Sequence, residues 1–230
     1  EVLKAVKRKN LDDGKLGTIS FWMRQDSVND GAHVAVYPFQ NSAGIFFLYM
    51  ATGNHMLIGI YAWTGYAWKV TTSADSFKST EGWVHYVASW DLGNTVGHVY
   101  VNGVSDQATV GQAPIDWTID YTKPLWGICT NTPGNGVFTG DMAQFYFNDD
   151  EYVDLSDAAN LAKFYDEGPV DFGSDGSLPT GTSPIFFMNR TASGAVTDFD
   201  TNAGTGGSAD ITRTGTLIES SNIPETGLVA

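Results

Sequence analysis

Apolar and polar residues alternate with a period of two along much of this chain. Between residues 18 and 24, Ile19, Phe21 and Met23 fall on one face of an extended segment, while Trp22 and its polar neighbours fall on the other. This is the pattern of a β-strand that buries one face. Similar runs recur at short intervals up to about residue 147 with turn-forming residues between them. The pattern predicts an all-β fold, an antiparallel sandwich of two sheets.

The clearest single element lies between residues 82 and 104. Two runs rich in valine and aromatic residues flank Asp91-Leu92-Gly93-Asn94, and the second run ends at Asn102-Gly103. An Asn-Gly pair accepts positive φ and therefore favours a tight turn. The segment predicts a β-hairpin followed by another turn, which is the repeating unit of a sandwich.

The pattern changes after residue 150. Ser156 and Asp157 precede residues 158–165, in which Leu161 and Phe164 are three apart. Either Ser156 or Asp157 is able to cap the free amides at the start of a helix. We expect one short helix here, with Leu161 and Phe164 facing the sandwich.

The chain divides into three parts by composition. The first 16 residues are basic and predict an edge strand or a tether. Residues 17–165 predict the sandwich. Residues 166–230 are rich in Gly, Thr and Ser and predict an extension that wraps the sandwich or contacts a partner, with short strands at 185–188 and 211–214.

The charge balance argues against two kinds of partner, nucleic acids and anionic membranes. The chain carries 12 Lys and Arg against 26 Asp and Glu, a formal net charge of −14. Such a surface repels nucleic-acid phosphates and anionic membranes, so we expect neither as a partner. No apolar run approaches the roughly 20 residues that span a bilayer, and no basic-then-apolar leader is present, so neither membrane insertion nor a signal peptide is predicted.

A cluster of aromatic residues is the first candidate binding site. Four of them surround the turn at Thr64-Gly65: Tyr61, Trp63, Tyr66 and Trp68. Exposed aromatic rings are able to stack on sugar rings, with Asn side chains orienting the hydroxyl groups. Asn131 and Asn135, in a second predicted loop, are therefore further candidates. The alternative for each aromatic ring is a place in the core of the sandwich.

Several segments carry a resemblance to a known family. They resemble the laminin-G-like and pentraxin-like branch of the concanavalin A-like lectin/glucanase superfamily, over about residues 17–165. The segments are Gly82–His85, Ala88–Asp91, Val99–Gly103 and Gly140–Phe147. The resemblance implies a jelly-roll sandwich and a lectin-like domain.

The later part of the chain is similar to laminin-G-like proteins of bacteriophage virions. The similarity lies in residues 154–164, 168–173, 176–181 and 202–215. It implies a non-enzymatic virion surface protein, used as head decoration, fibre or tail module. Its partners would be copies of itself, capsid or tail proteins, and surface polysaccharide. The alternative is a secreted or cell-surface protein of the carbohydrate-binding or glucanase type.

The glucanase alternative requires two converging carboxylates, about 5–5.5 Å apart in retaining enzymes. The enzymes of this superfamily place acidic residues at alternating positions of one strand, and this sequence has no such run. Its nearest match is Asp116 and Asp120, which are four apart with Thr118 between them. His85 and His98 lie in the predicted hairpin strands, where packing roles are expected. We therefore predict no enzymatic activity.

Calcium is the one cofactor that the sequence supports. Laminin-G-like and pentraxin-like domains often hold calcium at one rim, and calcium prefers oxygen ligands. The candidate ligands are Asp149, Asp150 and Glu151, which follow a predicted strand. The alternative is an acidic loop exposed to solvent.

Overall fold

The computed structural model describes the chain in eleven stretches. They are residues 2–6, 13–25, 33–35, 45–51, 55–62, 65–73, 82–121, 125–129, 138–189, 201–206 and 211–214. Within them the chain forms fourteen β-strands and one short helix. The elements are β1 Val2–Val6, β2 Leu16–Gln25, β3 His33–Ala35, β4 Ile45–Ala51, β5 His55–Ala62, β6 Gly65–Thr71, β7 Val84–Asp91, β8 Val96–Val101, β9 Val104–Ser105, β10 Thr109–Gln112, β11 Leu125–Ile128, β12 Gly140–Asn148, α1 Ala158–Leu161, β13 Phe186–Met188 and β14 Ile211–Thr214.

The strands form two antiparallel sheets. One has eight strands in the order β10-β6-β5-β4-β3-β11-β1-β14, and the other has six in the order β13-β12-β2-β7-β8-β9. The predicted hairpin is β7–β8, paired from Asp91↔Val96 to Tyr86↔Val101. Asn102 follows it with φ 47°, in the left-handed region that Asn tolerates. The all-β, antiparallel two-sheet sandwich predicted from the sequence is confirmed.

The ends of the described chain belong to the sheets. β1 lies between β11 and β14, with Leu3 in register with Ile128 on one side and Arg213 on the other. β1 therefore has a hydrogen-bonded neighbour on both sides and is not an edge strand, which corrects that part of the expectation for residues 1–16. β13 pairs with β12, with Phe186 opposite Phe147. The sheets thus include strands from beyond residue 165.

The main core lies between the two sheets. Ile19, Phe21 and Met23 of β2 point into it and are fully buried, as their alternation predicts. Trp90 is equally buried, and its Nε1 donates a hydrogen bond to Tyr121 Oη over 3.1 Å. Gly17 is the close neighbour of that indole, since a Cβ built there would come within 2.2 Å of the ring. Large aromatic rings therefore fill the space between the sheets, and the hydrogen bond to Tyr121 and the close approach of Gly17 fix the position of the Trp90 ring.

A second, smaller core lies on the other side of the six-stranded sheet. Residues 152–183, called the cap below, cross this outer face. The buried cluster between them contains Val87, Tyr146 and Phe187 from the sheet and Val153, Leu155, Phe164 and Phe172 from the chain that crosses it. Where the cap crosses it, the six-stranded sheet is therefore buried on both faces, and the molecule has three layers there.

The predicted short helix lies in the cap. It spans Ala158–Leu161, and its N-cap is Asp157, whose side chain accepts a hydrogen bond from the amide of Ala159 over 2.9 Å. Phe164 is fully buried and Leu161 packs half-buried against the same cluster. The expectation that both face the sandwich is confirmed. Across the described stretches, no helix has the length and apolar character to cross a membrane.

Candidate functional site

Within the described residues, the outer face of the eight-stranded sheet reaches the surface along β5 and β6. Along β5, the inward residues Met56, Ile58 and Ile60 are at most 1% exposed. Leu57, between them, is half-buried, and Tyr61 is 38% exposed. Leu57 and Tyr61 therefore reach the surface whereas Gly59, between them, is buried, which is the alternation of a strand whose sheet buries one face.

A pair of tyrosines lies on this open face where β5 meets β6. The rings of Tyr61 and Tyr66 are perpendicular, with centroids 5.4 Å apart. The two residues are directly opposite each other because the register shifts between Ile60 and Tyr61. Without that β-bulge, Tyr66 would share a face with Trp68 and point into the core.

Trp68 lies on the opposite side of the same strand. It is fully buried, and its ring packs 6.2 Å from that of Trp90. Gly97 provides the space, because a Cβ there would lie 2.7 Å from the indole. Trp68 is thus part of the core and its ring is not available to a ligand. Three other predicted binding residues, Trp63, Asn131 and Asn135, lie outside the described residues.

Lys69 completes the open face beside the tyrosines. Its Nζ lies 4.7 Å from the centroid of the Tyr66 ring, which is a cation–π distance. Burial, and then the proximity of Tyr61, raise the pKa of Tyr66 above its usual value. The Tyr66 phenol is therefore neutral at physiological pH and keeps its proton for hydrogen bonding.

The three residues predicted to bind calcium lie at the end of β12, next to the cap. Oε2 of Glu151 accepts hydrogen bonds from Asn148 Nδ2 over 3.0 Å and from Thr182 Oγ1 over 2.9 Å. The amide of Asp150 donates to Asn148 Oδ1 over 3.2 Å. In the part of the chain that the structure describes, no group of three or more His, Cys, Asp or Glu side chains is placed to hold a metal ion. Asp149, Asp150 and Glu151 thus form a hydrogen-bonded turn whose Glu151 carboxylate contacts the cap.

The histidines of the hairpin occupy packing positions. His85 is fully buried, and its Nε2 is 2.8 Å from Ser20 Oγ. A serine beside a histidine is the start of a nucleophilic pair. Here Tyr165 of the cap stacks on the imidazole with centroids 5.4 Å apart, and His85 has no exposed surface, so substrate has no access. His98 is half-buried and lies 2.9 Å from Tyr152 Oη.

One member of the Asp116 and Asp120 pair is held by a lysine. Asp116 forms an ion pair with Lys15, with 2.5 Å between Oδ1 and Nζ. The described outward positions of β5 and β6 carry neither Asp nor Glu: His55, Leu57, Gly59, Tyr61, Tyr66, Lys69 and Thr71. These two strands supply aromatic rings, hydroxyl groups and the Lys69 ammonium to their outer face.

A comparison of the sequence with protein families agrees with this architecture. Residues 4–152 match a laminin-G family described as belonging to the concanavalin A-like lectin/glucanases superfamily. No curated protein matches the sequence.

Three solved structures illustrate the structural likeness. A heptameric SAP-like pentraxin from Limulus polyphemus is 11% identical over 70% of this chain and 82% of its own, with a TM-score of 0.47. A putative carbohydrate binding protein from Bacteroides ovatus is 14% identical over 66% of this chain and 42% of its own, with a TM-score of 0.48. The binding domain of botulinum neurotoxin DC, in complex with SialylT, is 12% identical over 70% of this chain and 38% of its own, with a TM-score of 0.49. This chain thus spans well under half the length of the latter two.

Proposed function

Because this chain belongs to the concanavalin A-like lectin/glucanases superfamily, we propose that it is a non-catalytic carbohydrate-binding domain. The ligand lies on the outer face of the eight-stranded sheet, at Tyr61, Tyr66 and Lys69. This assignment follows from the cap, which buries the corresponding face of the other sheet.

One observation carries the proposal, the exposed and perpendicular pair of tyrosines. Among the described residues, Tyr61 is one of five large apolar side chains with more than a third of their surface exposed, and its ring packs edge-on against that of Tyr66. An aromatic ring with a polar tip is able to stack on the C–H face of a sugar and hydrogen-bond to its hydroxyl groups. Since the neighbouring outward positions of β5 and β6 lack carboxylates, the face supports binding without cleavage.

Replacing Tyr61 with alanine is expected to weaken glycan binding about tenfold, the effect of losing one stacking contact. A glycan array identifies the ligand, and titration calorimetry then gives the dissociation constants. Tyr61→Phe is expected to retain most of the affinity because it keeps the ring. Val104→Ala, at a residue that is 68% exposed on β9 of the other sheet, is the matched control. Unchanged affinity in both Tyr61→Ala and Tyr66→Ala would refute the proposed face.

We further propose that the domain is displayed on a bacteriophage virion, as head decoration, fibre or tail module. The support is the similarity of residues 154–164, 168–173, 176–181 and 202–215 to laminin-G-like proteins of virions. These segments lie beyond residues 4–152, which the family match covers. In this role, copies of the chain are anchored to capsid or tail proteins, and many weak glycan contacts add up to firm attachment.

This role predicts that the chain copurifies with phage particles. Mass spectrometry of density-purified particles is expected to detect it at a constant ratio to the capsid protein, and antibody labelling is expected to reach it on intact particles. Recovery only from the culture medium or the bacterial surface, and not from particles, would favour the alternative of a secreted or cell-surface protein.

A further inference from the structure

Lys69 differs from the other cationic side chains that the structure describes. Lys15 and Arg24 each form an ion pair, with Asp116 and Asp141. Lys163 donates a hydrogen bond to Asn160 Oδ1 over 2.9 Å. The Lys69 ammonium lies over the Tyr66 ring, and no ion pair or side-chain hydrogen bond joins it to a described residue.

This isolation is unusual for so acidic a chain. Asp and Glu outnumber Lys and Arg by 26 to 12, so a lysine has an excess of possible carboxylate partners. An ammonium group has three N–H donors. On this face none of the three is used by a described protein group, although a half-buried cation gains from an acceptor.

The position of Lys69 is fixed by the neighbouring strand. β10 contains an irregularity between Val110 and Gln112, which leaves Gly111 opposite the lysine stem. A Cβ at Gly111 would lie 3.1 Å from Lys69 Cδ, closer than ordinary van der Waals contact. The missing side chain at residue 111 therefore makes room for the methylene chain, and the ammonium group is held above the Tyr66 ring.

We propose that the Tyr61–Tyr66–Lys69 surface binds a saccharide that carries an anionic group. The carboxylate or sulfate pairs with the Lys69 ammonium, and a sugar ring stacks on Tyr61. This inference rests on the proposed carbohydrate-binding function and adds the class of sugar. The net charge of −14 repels such a ligand at long range. Binding of the anionic saccharide therefore depends on the Lys69 ammonium, and removing this charge is expected to weaken the affinity strongly.

The test compares oligosaccharides that carry an anionic group with one whose anionic groups are neutralised. The full chain is titrated with oligogalacturonate, with the methyl-esterified form of the same oligosaccharide, and with a sulfated oligosaccharide. The unmodified chain is expected to bind at least one of the anionic ligands about tenfold more tightly than the neutral one. The two anionic ligands show whether a carboxylate or a sulfate is preferred.

Two substitutions test whether Lys69 causes the preference for the anionic ligand. Lys69→Gln is expected to abolish the preference for the anionic ligand, and Lys163→Gln, at another exposed lysine, is expected to leave it unchanged. Thermal unfolding confirms that both variants are folded. Equal or weaker binding of the anionic ligands by the unmodified chain, or no binding of them, would overturn the inference. A preference that survives in Lys69→Gln would do the same.

The outcomes also separate this inference from the function on which it rests. If Tyr61→Ala weakens the binding of every ligand and Lys69→Gln weakens none, the face binds carbohydrate but does not select its charge. If neither substitution affects binding, both the proposed face and its selectivity are wrong.

Discussion

Replacing Phe164 with alanine is expected to lower the free energy of unfolding by about 3–5 kcal/mol, the usual cost of removing a buried phenylalanine ring. Phe164 is fully buried between the cap and the six-stranded sheet. Its ring meets those of Tyr146 and Phe172 edge-on, with centroids 5.5 Å and 5.6 Å away. Alanine leaves a cavity that rigid aromatic neighbours are poorly able to fill, so the loss includes both the contacts and the void.

Equilibrium denaturation in urea measures this loss. Leu178→Ala is the control within the cap, since Leu178 is 63% exposed, and we expect it to change stability by less than about 0.5 kcal/mol. A loss below about 1 kcal/mol in Phe164→Ala, well under the cost expected for a buried ring, would show that the cap contributes little to the stability of the sandwich.

The alternation of apolar and polar residues does not predict the cap. The period of two in β2 correctly assigns Ile19, Phe21 and Met23 to one face. The opposite face contains Ser20 and Trp22, and both are buried as well. Alternation tells which residues share a face but does not tell what covers that face. The covering segment has little period of its own, because its buried side chains are held by loops and one short helix.

The order of the strands within a sheet is also not predictable from a local sequence pattern. The basic composition of the first 16 residues predicts an edge strand or a tether, but β1 has a partner strand on each side. Its place between β11 and β14 depends on partners more than 100 residues away, such as Ile128 and Arg213. Composition near the terminus carries no information about such pairing.

The candidate site was predicted in part. The aromatic residues around the β5–β6 turn are recognisable in the sequence, and Tyr61 and Tyr66 do share the open face. Trp68 does not, because a bulge reverses the side on which Tyr66 lies. A bulge adds one residue to a strand without a distinctive sequence signal. Lys69 was missed for a related reason, since its lack of a partner is a property of the folded surface.

A fall in pH below about 6.5 is expected to destabilise the protein through His85. The imidazole is fully buried between Trp22 and Tyr165, with ring centroids 5.1 Å and 5.4 Å away. Its Nδ1 has no hydrogen-bond partner among the described residues. Burial disfavours the charged form and lowers the pKa of His85 to about 3. In the unfolded chain the pKa returns to about 6.5.

The sign of the effect follows from these two values. Between pH 6.5 and 3 the unfolded chain binds a proton that the folded chain does not, so acid favours unfolding. Above pH 6.5 this penalty is absent. Within the window, one such group lowers the free energy of unfolding by about 1 kcal/mol per pH unit.

His85→Gln isolates this contribution. Unfolding free energies are measured by urea denaturation at intervals from pH 7 to 4.5, above the range in which carboxylates with lowered pKa, such as Asp175 with a pKa of about 2, take up protons. We expect the slope to flatten by about 1 kcal/mol per pH unit in the variant, whatever the substitution costs at neutral pH. His98→Gln is the comparison. His98 is half-buried and its pKa is lowered by burial but raised by Asp154, so its effect on the slope is smaller. An unchanged slope in His85→Gln would mean that the folded and the unfolded chain protonate His85 over the same pH range, which contradicts the prediction.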